Sequence, residues 1–234
     1  MNKLAVVTRS DENIKWCQDI THPIFKEYAK KCNADFVNIS QPAPFLTDDG
    51  NQHYRALYFQ QLLEKYDRII HLDTDMIINK NTPNLFEIVP EDEIGIVYED
   101  VGSRLAPRRL LINHIQSLWG DVNWKKNYTN AGCCIFSKKH SNIFDSYNNM
   151  YWKGWGSVDV HMSYMIHKHK HKVKELGFEW NHMTMFSEPW NGNANRFNSK
   201  IIHYAGVGIF DSGIGSRREQ IEKDYETIYG RKAI

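Results

Sequence analysis

The sequence predicts an α/β fold: one domain with a mostly parallel central sheet flanked by helices. Short apolar, β-branched runs alternate with stretches of helical periodicity from the first residues onward. Nothing in the 234 residues marks a boundary, since there is no internal repeat, low-complexity linker or shift of composition, and one α/β domain of this length is ordinary.

Leu4 to Thr8 is an apolar run ending in polar residues, which suits a buried first strand opening into a loop at Arg9 to Asn13, where a ligand can sit. From Ile14 to Cys32 apolar residues recur at helical spacing through Trp16, Ile20, Ile24, Phe25 and Tyr28, with Pro23 expected to reset the helix start. Asp35 to Ile39 reads as the second strand and completes a β-α-β opening. Gln41 to Gly50 carries Pro42, Pro44 and an Asp-Asp-Gly turn and reads as a loop; His53 to Lys65 follows as a helix with Leu57, Tyr58, Leu62 and Leu63 on its apolar face. Arg68 to Leu72 is an apolar strand that stops at Asp73-Thr74-Asp75, and Met76 to Ile78 resumes it before Asn79 to Pro83 breaks it. Further strands are expected at Ile94 to Tyr98, Ala131 to Ser137 and Lys200 to Ala205, and an amphipathic helix around Val158 to His167. Gly102 to Tyr128 is less regular and reads as a lid or acceptor loop; Gly206 to Ser216, with four glycines, reads as mobile.

A net charge of +1 from 29 basic and 28 acidic residues removes the main sequence-level reason to propose nucleic acid or an anionic membrane as partner. No stretch approaches the ~20 apolar residues of a membrane span, and the N-terminus enters its first strand without a long apolar segment, so the expectation is a soluble, cytoplasmic chain. Cys17, Cys32, Cys133 and Cys134 show no Cys-x-x-Cys spacing and read as reduced thiols. Lys168, Lys170, Lys172 and Lys174, alternating with His167, His169 and His171, read as a solvated face or loop. Trp152, Trp155, Trp180 and Trp190 suit either the core or a surface on which a sugar stacks.

The chemistry concentrates in three pieces. Two carboxylates at i and i+2 of an extended segment point to one side, so Asp73 and Asp75 converge while Leu72, Thr74 and Met76 face away. Two like charges at the end of a buried strand need a positive partner, whether metal ion, Lys or Arg. The second piece is Tyr128 to Phe136, where Asn130, Ala131 and Gly132 enter a buried strand and let a ligand approach the backbone. The third is Lys200 to Gly206, a strand ending in His203 before a Gly-rich loop; with two carboxylates it can complete an oxygen-nitrogen site suited to Mn²⁺ or Mg²⁺. Each piece alone is weak, since Asp-x-Asp is usually an ordinary acidic pair and a lone His a hydrogen-bonded core residue.

In this order the pieces resemble glycosyltransferases of the GT-A (Rossmann-like) fold, most of all family 8, the glycogenin and bacterial galactosyltransferase group. The likeness covers Leu4 to Arg9, Arg55 to Leu85, the Asn-Ala-Gly strand, Leu176 to Asn181 and Ile201 to Gly206. It implies one nucleotide-sugar-dependent domain over residues 1–234, with a nucleotide-binding half to about residue 100 and an acceptor-binding half beyond it. It implies Asp73, Asp75 and His203 as ligands of Mn²⁺ or Mg²⁺, and Thr8, Arg9, Arg55, Asp73, Thr74, Asn130, Ala131, Gly132 and Gly206 as donor-binding residues. Asp159 falls where the family carries an acidic residue facing the transferred sugar, although its neighbours do not match the family's Asp-Gln pairing. The implied partners are a nucleotide-sugar donor, a UDP-sugar by resemblance, and a glycan or other hydroxyl acceptor. The lysine that usually follows the His-x-x-Gly strand is absent; Val207 to Asp211 stand there instead, leaving Arg217 or Arg218 to reach a diphosphate. Two rival readings remain at this point: a metal-dependent phosphohydrolase with an aspartate nucleophile, and a nucleotide-sugar-binding module without catalysis.

Overall fold

The computed structural model describes residues 2–40, 54–187 and 193–233, with residues 54–57 and 187 described by their backbone alone. The expected loop from Gln41 to Gly50 and Trp190 lie outside the described residues.

Six strands form the central sheet: β1 (Leu4–Arg9), β2 (Asp35–Ile39), β3 (Arg68–Leu72), β5 (Glu93–Tyr98), β6 (Thr129–Ser137) and β7 (Lys172–Leu176), in the order β2-β1-β3-β6-β5-β7. All pairings are parallel except those of β6, which runs against β3 and β5. A second, small sheet joins β4 (Met76–Ile78), β9 (Ile201–His203) and β8 (His182–Met183), with β9 in the middle. The expected strand from Lys200 to Ala205 is thus the centre of this second sheet.

The period of two along each strand divides the core. Val6, Ile70 and Cys133 face one side, where α1 (Lys15–Lys31), the small sheet, the short α3 (Leu85–Ile88) and α6 (Arg217–Tyr229) join them in one core through Phe25, Ile77, Ile202, Leu85 and Ile221. Ala5, Val7, Ile69 and Cys134 face the other, beneath α2 (Tyr54–Lys65), α4 (Leu105–Trp119) and α5 (Ser157–His169), which supply Phe59, Leu63, Ile112, Ile115, Tyr164 and Met165. No helix among the described residues is long and apolar enough to cross a membrane.

Two expectations need correction. Helix α1 runs through Pro23 without restarting. An interior proline costs about 3 kcal/mol, but Cys17, Ile20 and Thr21 before it and Ile24, Phe25, Tyr28 and Ala29 after it bury on one face, so packing holds the helix together. Gly102 to Tyr128 is not a loop: it contains α4, whose Pro107 lies in the first turn, where a missing N–H costs little. The Lys-rich stretch keeps Lys168, Lys170, Lys172 and Lys174 exposed, as expected of a solvated face; Lys172 to Leu176 pairs with β5 as the edge strand β7, and exposed lysines guard such an edge.

Candidate metal and donor site

The acidic pair lies where two sheets meet. The Asp73 N–H donates to the Gly132 carbonyl at 2.8 Å, extending the pairing of β3 with β6, and the Tyr204 N–H donates to the Asp75 carbonyl at 2.9 Å, extending that of β4 with β9. Met76 sits opposite His203 in that second pairing, which brings the imidazole beside the carboxylates. His203 Nε2 is 3.7 Å from Asp73 Oδ2 and 3.4 Å from Asp75 Oδ1, and one ligand atom from each of the three residues lies within 4.8 Å of the others. Thr74 turns the opposite way: its buried hydroxyl donates to the Arg9 carbonyl at 2.7 Å and lies 3.0 Å from Thr8 Oγ1.

A chain of amides fixes the imidazole. His203 Nδ1 donates to Asn181 Oδ1 at 2.7 Å, Asn181 Nδ2 donates to Asn130 Oδ1 at 2.8 Å, and Asn130 Nδ2 donates to Glu99 Oε2 at 2.7 Å. Glu99 in turn holds the buried Arg108, whose Nε donates to Oε1 at 2.7 Å. With Nδ1 committed as donor, Nε2 faces the carboxylates, as in metal-bound histidines whose other nitrogen is held by a second partner. Burial alone would lower the basicity of His203, but Asp75 and Asp73 outweigh it and raise it above the ordinary value. Burial likewise would raise the Asp75 carboxyl; His203 and Arg217 reverse that and hold it below the ordinary carboxylate value. Two carboxylates and an imidazole at this spacing fit a hard divalent cation such as Mn²⁺ or Mg²⁺.

Two cavities meet at Asp73. The larger, about 690 Å³, is lined by Asp73, Glu99, Asn130, Gly132, Asp159 and Gly206 among others. The smaller, about 200 Å³, is bounded by Arg9, Trp16, Cys17, Thr74, Asp75 and Arg217. Strand β6 shapes the boundary: its register with β5 jumps between Ile96, opposite Cys134, and Val97, opposite Asn130, so Ala131 to Cys133 leave β5. A bulge of this kind re-aims backbone beside functional sites.

The sequence model of glycosyl transferase family 8 matches residues 50–208, well over half of the chain. The chain belongs to glycosyl transferase family 8. It is therefore a glycosyltransferase. Solved structures agree on the fold at low identity. A glycosyltransferase involved in glycosylation of the major capsid of PBCV-1 aligns over 97% of this chain and 100% of its own, with 14% identity and a TM-score of 0.61. The bifunctional glycosyltransferase WbbM aligns over 99% of this chain but only 52% of its own, with 15% identity and a TM-score of 0.62. The galactosyltransferase LgtC, solved with donor and acceptor sugar analogues, aligns over 98% and 96% at 13% identity and a TM-score of 0.56. No curated protein matches the sequence.

In this family 8 glycosyltransferase, Asp73, Asp75, Asn130, Gly132, Asp159, His203 and Gly206 gather around the two cavities. Asp159 stands in the first turn of α5, where its Oδ1 accepts from the Ala131 N–H at 2.9 Å. Arg9 borders the smaller cavity and pairs with Asp11 at 3.3 Å. Thr8 and Ala131 line neither cavity; both are buried and hold neighbours in place through the contacts already given. The Arg55 side chain lies outside the described residues. Of the candidate cations, Arg217 reaches the site, donating from Nη1 to Asp75 Oδ2 at 3.0 Å and also to the Gly206 carbonyl, whereas Arg218 pairs with Glu222. Gly208 makes room for it, since a β-carbon there would lie 2.5 Å from Arg217 Cγ. The glycine loop is tied down at its middle: the Phe210 and Asp211 N–H groups donate to Gln220, and Asp211 pairs with Arg196 and Lys223. Sequence reasoning assigned no role to Glu99, Arg108, His71 or Asn181. His71, buried on β3, places Nε2 3.6 Å from Asp73 Oδ1; a histidine inside an apolar strand two residues before the pair was the available signal.

Proposed function

We propose that the enzyme transfers a sugar from a nucleoside-diphosphate donor, a UDP-sugar, to a hydroxyl acceptor, with residues 1–100 supplying most of the nucleotide contacts. The observation that carries this reading is the convergence of Asp73, Asp75 and His203 between two cavities of unequal size. These three residues would hold Mn²⁺ or Mg²⁺, which supplies Lewis-acid stabilisation of the charge on a departing diphosphate. Trp16 and Arg9, in the smaller cavity, bind the base, and Arg217 takes the place of the family's missing lysine against the diphosphate, where a guanidinium can bind bidentately. In the larger cavity Asn130 and Gly132 position the donor sugar and Asp159 faces it, its carboxylate oriented by the Ala131 N–H. The acceptor enters from the side of α4 and α5. Family membership and the position of the acidic pair at the end of the third strand disfavour a phosphohydrolase.

The test is the thermal-unfolding midpoint against nucleoside diphosphates and their sugars, with and without Mn²⁺, because ligands of the native state raise stability by mass action. A rise with a uridine species that requires metal and is lost in Asp75→Ala and His203→Ala is expected. No response to any nucleotide sinks the donor assignment. A metal-dependent rise without sugar transfer to any hydroxyl acceptor leaves a binding module instead.

A further inference from the structure

Beside the larger cavity lies a further concavity of about 450 Å³ lined by Arg104, Pro107, Arg108, Leu110, Leu111, His114 and Trp155. Arg104, Arg108 and Trp155 border both, so the two adjoin. Their walls differ in composition. The larger includes Asp73, Glu99, Asn130 and Asp159; the wall of the other is mostly apolar, from Pro107, Leu110, Leu111 and the Trp155 ring, with Arg104, Arg108 and His114 among them.

The apolar end is built. Leu110, His114 and Leu118 follow one another at i, i+4 and i+8 on α4 and form a stripe along one face. Leu110 is 70% exposed, Leu118 62% and Trp155 62%, three of the large apolar side chains that the fold leaves in water. The Trp155 ring is not loose: the Arg108 guanidinium carbon lies 4.3 Å from its centroid, and Arg108 is anchored by Glu99. Trp152 Nε1 donates to the Trp155 carbonyl at 3.1 Å. A buried ion pair thus supports an indole at the junction of polar and apolar walls.

We infer that this groove binds the apolar aglycone of an amphiphilic acceptor, so that a sugar hydroxyl lies in the larger cavity while an attached hydrocarbon chain runs over Leu110 and Trp155. The proposal rests on the donor site assigned above. Three observations choose this occupant. The groove is shallow and holds about 450 Å³, the size of a small ligand, whereas a second protein typically covers about 800 Å². It adjoins the cavity in which the acceptor hydroxyl has to sit, through Arg104, Arg108 and Trp155. Arg104, Arg108 and His114 share its lining, but most of the surface it offers is apolar and removes hydrocarbon from water.

Binding of octyl β-glucoside and octyl β-galactoside, each below its micelle-forming concentration, is compared calorimetrically with that of the methyl glycosides on protein holding UDP and Mn²⁺. At least tenfold tighter binding of the octyl compounds is expected, with most of the gain lost in Leu110→Ser, whose largely exposed site keeps the cost to the fold small. The thermal response of that variant to UDP with Mn²⁺ stays as in the parent. Equal affinity for octyl and methyl glycosides, or an octyl gain that survives Leu110→Ser, overturns the proposal. So does Leu110-dependent capture by phosphatidylglycerol vesicles, or a Leu110-dependent dimer in sedimentation, without octyl preference; these give the face to a membrane or a second copy. Absence of the UDP–Mn²⁺ response in the parent defeats the donor reading instead, and the octyl comparison is then read on the protein alone.

Discussion

A β-carbon on residue 132 would lie 2.7 Å from His203 Cε1 and 2.9 Å from Asn130 Oδ1, so a glycine stands where the His203 ring and the Asn130 amide crowd the backbone. Gly132→Ala is expected to displace the imidazole and weaken Mn²⁺ binding at least tenfold by calorimetry, for about 1–3 kcal/mol of stability, the usual cost of overpacking. Arg217 makes a separable contribution. Its bond to Asp75 partly neutralises the acidic pair, and a cation arriving there competes with it. Arg217→Met is expected to leave Mn²⁺ affinity unchanged or tighter while weakening UDP about tenfold or more in the presence of Mn²⁺; equal UDP affinity in parent and variant removes Arg217 from the diphosphate. At this scale the convergence of Asp73, Asp75 and His203 was legible because each borders an apolar run. Glu99 and Asn181 were not, because each acts through a partner 31 or 51 residues from it in sequence, and no local pattern encodes such a pairing.

Helix α6 brings Arg217 to the site, so what holds α6 matters to the site. Ser216 caps its first turn, accepting from the Glu219 N–H. Arg196 then ties the helix to the preceding loop, bonding Asp224 at 2.7 Å and Asp211 at 3.0 Å, while Tyr204 and Gln220 complete the satisfaction of Asp224. The Arg196 bond, with smaller help from Lys223 and Gln220, holds the Asp211 carboxyl well below the usual carboxylate range. A depressed folded value means stability that is complete above the unfolded carboxylate pKa of about 3.9 and is lost as pH falls through the folded value. Urea midpoints measured from pH 7 to pH 2 are therefore expected to fall at the acid end, and to fall less steeply in Asp211→Asn; identical slopes refute the linkage. Elements were unevenly legible. Helix α1 was found from its periodicity although Pro23 argued for a break, since packing of one apolar face outweighed a local rule. Helix α4 was missed because its outward face carries Leu110 and Leu118, which blur the contrast between faces that marks an amphipathic helix.

For the whole molecule, the alternation of strand and helix was enough to predict the α/β class, while the reversed direction of β6 was not readable. Parallel and antiparallel partners are chosen by pairings distant in sequence, and a buried apolar run looks alike in either direction. That strand also carries adjacent thiols that the sequence marked only as reduced: Cys133 packs into the core beneath α1 and α6, and Cys134 into the core beneath α2, α4 and α5. Burial, with the neighbouring Asp73 carboxylate adding to it, pushes the Cys133 thiol far above its usual value, so it stays a thiol in the native state. Reagent can reach the two sulfurs only when the layers covering them lift. Pulsed alkylation in mild denaturant, read by mass spectrometry, is expected to modify Cys133 and Cys134 at one common rate if the layers separate as a single cooperative unit. Unequal rates would mean that one flank of the sheet opens before the other. Two neighbouring positions on one strand thus serve as a built-in pair of stopwatches, one for each side of the enzyme.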